Sequence, residues 1–222
     1  MRIEHHPSPE LLAEYAAGNA PDAVALLIAC HITLCPKCRA EVERLEAIGG
    51  ALLNEIEPAA DPDLDAMLAS VMGKLDQTER EGPRVIEPPR GAVDATFPKP
   101  LRDLVGTVDN AKWRKRMPGL STIDIPFGSG HSVRLVRTAA GMGVPRHGHQ
   151  GMELDLVLRG GLKDQDSGQV FERGDVQLNG PEVVHELEVL HDVPECILLS
   201  VNEASWKPEG IKARIAYRYL GW

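Results

Sequence analysis

GMGVPRHGHQGMELDLVLRG, residues 141–160, decides the fold of this chain. His147 and His149 are separated by one residue. On a strand, alternate side chains point the same way, so both imidazoles face one interior. Glu153 follows on the same side, and Gly160 makes the turn that closes the stretch. An imidazole and carboxylate set suits a harder or borderline metal. Downstream, Gly174 and His185 supply a further imidazole, with His191 as the weaker substitute. Three histidines and one glutamate suit Zn, Mn, Fe or Ni.

The chain around this stretch has the texture of short strands. Ser132–Arg137 alternates, and Leu154–Leu158 alternates in part. Gln169–Phe171, Asp175–Leu178 and Cys196–Val201 follow at short intervals. Glycine-containing turns at 159–161, 166–168 and 173–175 separate them. Strands of this length and spacing predict a small antiparallel barrel or jelly roll. His131 has no ligand context and reads as an ordinary polar residue. Lys112–Arg116 reads as a solvated edge rather than a nucleic-acid contact.

Upstream, residues 79–100 read as a linker punctuated by Pro83, Pro88, Pro89, Pro98 and Pro100. Residues 1–78 read as helical. Ser8-Pro9-Glu10 opens a first helix that Gly18-Asn19 stops. Pro21-Asp22 starts a second, and Cys35-Pro36 a third, with proline at the first helical position. Asp61-Pro62-Asp63 starts a fourth with a cap and early acids. Its apolar residues, Leu64, Met67, Leu68, Val71, Met72 and Leu75, form a broad stripe. A short helix with such a stripe packs on its own domain, on a partner, or on both.

The helical part carries a second ligand set. His31-x3-Cys35-x2-Cys38 is thiolate-rich and suits zinc, which in structural sites takes four tetrahedral ligands. The two cysteines flank a helix start, where the dipole favours thiolate. The fourth ligand is His6 or His5. Cys30 and Cys196 read as plain buried thiols.

Of the net charge of −9, residues 1–78 hold five Lys/Arg against thirteen Asp/Glu, and the rest of the chain nineteen against twenty. A helical part with a balance of −8 is a poor ligand for a phosphate backbone and fits a surface that covers a basic protein. No apolar run approaches the ~20 residues that span a bilayer. Met1–Glu10 lacks the pattern of a secretory signal. A cytoplasmic location is expected, with the four cysteines as thiols or metal ligands.

Two resemblances follow from these residues. Gly141, His147, His149, Glu153 and Gly160 match the first cupin motif at every spacing. The second motif is looser: Pro181 is one place late, Glu182 stands where glycine is usual, and Val189 replaces the usual asparagine. The N-terminal His and His31-x3-Cys35-x2-Cys38 resemble the zinc-binding anti-sigma domain of bacteria. Their combination is similar to the ChrR-type anti-sigma factors. The resemblance implies an α+β chain in two domains: an all-α zinc-binding domain at 1–78, a linker at 79–100, and an all-β cupin at 101–222. It implies zinc on His6, His31, Cys35 and Cys38, and a second divalent metal, zinc first, on His147, His149, Glu153 and His185. It also implies a one-to-one complex with an extracytoplasmic-function sigma factor, without nucleic-acid or membrane binding. Release of sigma would follow singlet oxygen or related oxidants sensed through the cupin domain. The alternative is a dioxygenase-like cupin metalloenzyme with a helical accessory domain.

Overall fold

The computed structural model describes residues 2–57, 63–77, 95–127 and 130–220. Helices α1 (Pro9–Ala16), α2 (Asp22–Leu34), α3 (Pro36–Asn54) and α4 (Leu64–Gln77) come first, followed by a short α5 (Lys99–Val105). Among the described residues eleven strands follow: β1 (Arg114–Met117), β2 (Leu120–Ile125), β3 (Ser132–Ala139), β4 (Gly143–His149), β5 (Glu153–Arg159), β6 (Gly161–Asp164), β7 (Val170–Glu172), β8 (Val176–Asn179), β9 (Val184–Val189), β10 (Glu195–Asn202) and β11 (Trp206–Pro208). Helix α6 (Gly210–Leu220) ends the described chain.

All strand pairs are antiparallel, in two sheets ordered β1-β2-β3-β10-β5-β8 and β11-β4-β9-β6-β7. Two such sheets give the expected jelly-roll barrel, preceded by the expected helices. Helix α5 was not expected: residues 98–100 read as the end of the linker, yet Pro98 sits at the N-cap and Lys99 begins a helix. Proline is tolerated there because the first N–H groups of a helix have no partner within it. Helix α6 and β11 were also missed.

The chain divides into two compact units, residues 1–46 with 94–222, and residues 47–93. In the first unit, α1, α2 and the start of α3 share one core with the six-stranded sheet. Leu27, Ile28 and Cys30 of α2 and Leu101 of α5 pack with Leu154, Leu156 and Leu158 of β5 and with Ile197, Leu199 and Val201 of β10. The other face of β5 looks into the barrel, where Val157 packs with Val136, Leu162, Leu187 and Leu198. Strand β5 is therefore buried on both faces, which is why its sequence alternates only in part. Fully burying each such leucine contributes about 1.5–3 kcal/mol.

In the second unit, Asp63 caps α4: its Oδ1 accepts the Ala66 N–H at 2.9 Å and its carbonyl accepts the Met67 N–H at 3.0 Å. Asp61 and Pro62, expected to begin this helix, lie outside the described residues, as do Pro58, Pro83, Pro88 and Pro89. Within the second unit, Leu64, Met67, Leu68, Val71, Met72 and Leu75 are 53–69% exposed. Leu52, Leu53 and Ile56 are exposed too. Among the described residues, no single helix is long and apolar enough to cross a membrane.

Candidate metal centres

The junction of α2 and α3 is built by Cys35 and Pro36. Cys35 is the C-cap of α2 in an extended conformation, and Pro36 starts α3 at once. His31, on the last turn of α2, and Cys38, on the first turn of α3, therefore close on Cys35. The Cys38 N–H points at Cys35 Sγ at 3.5 Å. His6 completes the set, with Nδ1 at 3.5 Å from Cys35 Sγ and 3.4 Å from Cys38 Sγ. One ligand atom from each of His6, His31, Cys35 and Cys38 lies within 4.8 Å of every other. His5 points elsewhere: its ring lies 4.4 Å from that of Phe171, and its Nδ1 is 3.5 Å from Asp175 Oδ2.

Four observations fit this cluster to a metal. His31 Nδ1–H donates to the Gly174 carbonyl at 2.9 Å, which leaves Nε2 as the lone-pair nitrogen, buried and without a hydrogen-bond partner. A carbonyl that accepts the other ring N–H in this way fixes the tautomer of a metal-binding histidine. Burial holds the His31 imidazole down to about 4, so it is neutral. Burial and the neighbouring Cys35 push the Cys38 thiol up to about 12. At Cys38 burial therefore outweighs the pull of the helix dipole toward thiolate. In this buried pocket a thiolate needs a cation beside it.

In the barrel, His147 and His149 lie on β4, Glu153 begins β5, and His185 lies on β9 directly opposite His147 in the β4–β9 register. All four are buried, and their ligand atoms lie within 4.8 Å of one another. His147 Nδ1–H donates to the Pro145 carbonyl at 3.0 Å, leaving Nε2 unpartnered. His185 Nδ1 donates to Asp164 Oδ2 at 3.2 Å, which turns its Nε2 toward His149 Nε2, also at 3.2 Å. Two nitrogens on one zinc at about 2.0–2.1 Å each stand about 3.3 Å apart in a tetrahedron, so this spacing fits a shared cation. Burial holds His147 down to about 3 and His149 to about 4. Burial and the nearby Asp155 raise the Glu153 carboxyl well above its usual range. Three neutral imidazoles around a reluctant carboxylate are the donor set that a divalent cation stabilises.

The loose second motif has a local explanation. A turn closes with the Val183 N–H on the Gly180 carbonyl at 3.1 Å, and the Glu182 carboxylate folds over Gly180, where a Cβ would collide with it. Glycine is still used here, two places before its usual position. Val189, in place of the usual asparagine, is buried, and its backbone N–H bonds to the Met142 carbonyl at 2.9 Å. His191 lies outside the cluster, exposed and 3.0 Å from Glu188.

Sequence reading overlooked the residues that hold the ligands. Trp206 stacks on His147 with ring centroids 3.9 Å apart, and its indole N–H reaches Glu153 Oε1 at 2.7 Å and Asn202 Oδ1 at 3.0 Å. The Asn179 amide reaches Glu153 Oε2 at 3.4 Å, and Gln177 donates to Asp164 at 3.2 Å. The only sequence signal was the alternation of Asp175, Gln177 and Asn179. Tyr217 of α6 packs on the same side of the barrel as Trp206.

A helical thiolate cluster joined to a cupin-like barrel with a histidine–glutamate cluster defines the class of protein. Residues 101–205 match the family model of the ChrR cupin-like domain. The chain is 37% identical over 206 residues to the anti-sigma-E factor ChrR of Cereibacter sphaeroides, covering 92% of both chains. It also resembles a chain of the crystal structure of Rhodobacter sphaeroides SigE in complex with the anti-sigma ChrR. That match has a TM-score of 0.75 and 35% identity, and covers 90% of this chain and 99% of that one. This chain belongs to the ChrR family of anti-sigma factors.

Proposed function

We propose that this chain sequesters an extracytoplasmic-function sigma factor in a one-to-one complex. The observation that carries the reading is the exposed face of α4. Six large apolar side chains at helical spacing stand in solvent, more than a monomer ordinarily leaves uncovered on one short helix. The related ChrR was crystallised with SigE, which supports sigma as the occupant. The acidic balance of residues 1–78 suits the basic surfaces of a protein that binds DNA.

In this reading residues 1–78 carry sigma binding and residues 101–222 sensing, with the linker of residues 79–100, whose last two residues begin α5, between them. Zinc is held by His6, His31, Cys35 and Cys38. A second divalent metal, zinc or else Mn, Fe or Ni, is held by His147, His149, Glu153 and His185. The protein acts in the cytoplasm, where sigma meets RNA polymerase. An oxidant such as singlet oxygen acts on the barrel domain and leads to release. Burial of all four barrel ligands behind Trp206 favours a regulatory metal over a site of turnover.

The test is gel filtration of the full metal-loaded chain with an extracytoplasmic-function sigma factor from the same genome. Co-elution at equal stoichiometry, lost in Leu68→Glu and Met72→Glu, is the expected result. Co-elution unaffected by both substitutions would remove α4 from the interface. Separate elution with every candidate sigma would remove the function.

A further inference from the structure

Residues 174–179 touch both ligand clusters. At one end, the Gly174 carbonyl holds His31 Nδ1 at 2.9 Å. Asp175 Oδ1 accepts the N–H groups of Glu4 at 2.8 Å and His5 at 2.9 Å, and the Val176 N–H donates to the His5 carbonyl at 3.1 Å. These bonds fix the extended segment that delivers His6. Two of the four thiolate-cluster ligands are thus held by one turn of the barrel. At the other end, Gln177 and Asn179 enter the barrel. Gln177 donates to the Asp164 carboxylate that orients His185, and Asn179 donates to Glu153.

Little in this segment can absorb a displacement. The Gly174 N–H bonds to the Val157 carbonyl at 2.8 Å, and Asp175 Oδ2 accepts the Glu172 N–H at 2.9 Å. Strand β8 is paired to β5 from Leu156↔Val176 to Glu153↔Asn179. Burial would raise the Asp175 carboxyl, but its bonds with the backbone of His5, Glu172 and Glu4 hold it below the usual range. A four-residue strand tied at both ends moves as a unit, so a change in ligand position at one end is carried to the other.

We infer that the two clusters are energetically coupled through residues 174–179: metal in the barrel raises the affinity of the thiolate cluster, and the reverse holds by the same factor. The inference rests on the reading that both clusters hold metal. It extends that reading by giving an event in the barrel a route to the helices at the N-terminus. Reciprocity is a thermodynamic requirement once any coupling exists.

Cobalt(II) is the probe, because its thiolate charge-transfer band reports the thiolate cluster and not the all-nitrogen-and-oxygen barrel cluster. Its affinity is measured by chelator competition on the full chain, with the barrel loaded with zinc and with the barrel disabled by His185→Ala or the near-isosteric Glu153→Gln. Disabling the barrel should weaken cobalt binding about tenfold, a coupling of about 1.4 kcal/mol. The same comparison in a Gln177→Leu background, a substitution that itself removes none of the eight ligands, should give a ratio near one. Asp175→Ala should do the same from the other end. Equal cobalt affinity with the barrel loaded and disabled, in a chain that binds two metals, overturns the coupling alone. Binding of fewer than two metals overturns the two-metal reading with it. A tenfold ratio that persists in both Gln177→Leu and Asp175→Ala overturns the assignment to residues 174–179.

Discussion

His31 Nδ1 lies 2.9 Å from the carbonyl oxygen of Gly174, so a helix residue of the thiolate cluster is oriented by a turn of the barrel 143 residues away in sequence. Gly174 has φ of +95°, a backbone region that costs a residue with a Cβ about 1–2 kcal/mol. Gly174→Ala is expected to lower stability by that amount and to shift the carbonyl from His31. Thermal unfolding of the zinc-loaded chain, with metal content measured alongside, checks this. An unchanged melting temperature would mean that the turn tolerates the side chain.

Trp206 holds Glu153 and covers His147. Trp206→Phe keeps the stacked ring and removes the N–H that reaches Glu153 Oε1 at 2.7 Å. Loss of an outer-shell partner ordinarily weakens metal affinity about 10–100-fold. The barrel metal should be lost to a competing chelator that leaves the wild-type barrel loaded. Wild-type retention by the variant would show that the indole only fills space.

The α4 substitutions separate binding from folding. Leu68 and Met72 are exposed, so a glutamate at either should change stability by no more than about 0.5 kcal/mol. Sigma affinity should fall more than tenfold if either side chain is a hot spot of the interface. Calorimetric titration measures the second quantity and urea unfolding the first. A variant that unfolds early would place these side chains in the chain's own core.

Acid should destabilise the metal-stripped chain. Burial lowers the imidazoles of His31 to about 4, His147 to about 3 and His149 to about 4. Below about pH 6.5 the unfolded chain takes up protons that these folded histidines refuse, so stability falls as pH drops toward 4, by at most about 1.4 kcal/mol per histidine and pH unit. Glu153 and Asp155 oppose this. Their raised carboxyls, Asp155 to about 6, bind protons in the folded chain first and favour it in acid. His6 and His185 are lowered as well, so histidines outnumber the opposing carboxylates. The urea midpoint of the stripped chain should be lower at pH 5 than at pH 7; a higher one would show that the carboxylates dominate.

The barrel cluster was legible because its spacing is local. Two positions on one strand, a turn and a third position on the next strand fix His147, His149 and Glu153 to one side whatever the rest of the chain does. His185 was legible only through a motif whose turn is displaced to Gly180 and Pro181. Asp164, Gln177 and Trp206 were not legible, because each reaches the cluster through strand register set by the closed barrel. His6 and His5 are adjacent and chemically identical. The pairing of Glu4 and His5 with Asp175 and Val176 decides which of them turns toward the cysteines. The stripe on α4 was legible as a stripe, but periodicity alone does not distinguish a face that meets its own core from one left for a partner. The shared core of α2 and β5 was hidden because apolar residues of a helix and of a doubly buried strand carry no label of what they touch.

Sequestration of sigma is read out by transcription reconstituted from RNA polymerase core, the cognate sigma factor and the full metal-loaded chain on a sigma-dependent promoter. Transcription is expected to fall to background as the chain reaches equimolarity with sigma, and to return when a chelator strips the thiolate cluster. Undiminished transcription at a several-fold excess of folded, metal-loaded chain would contradict it.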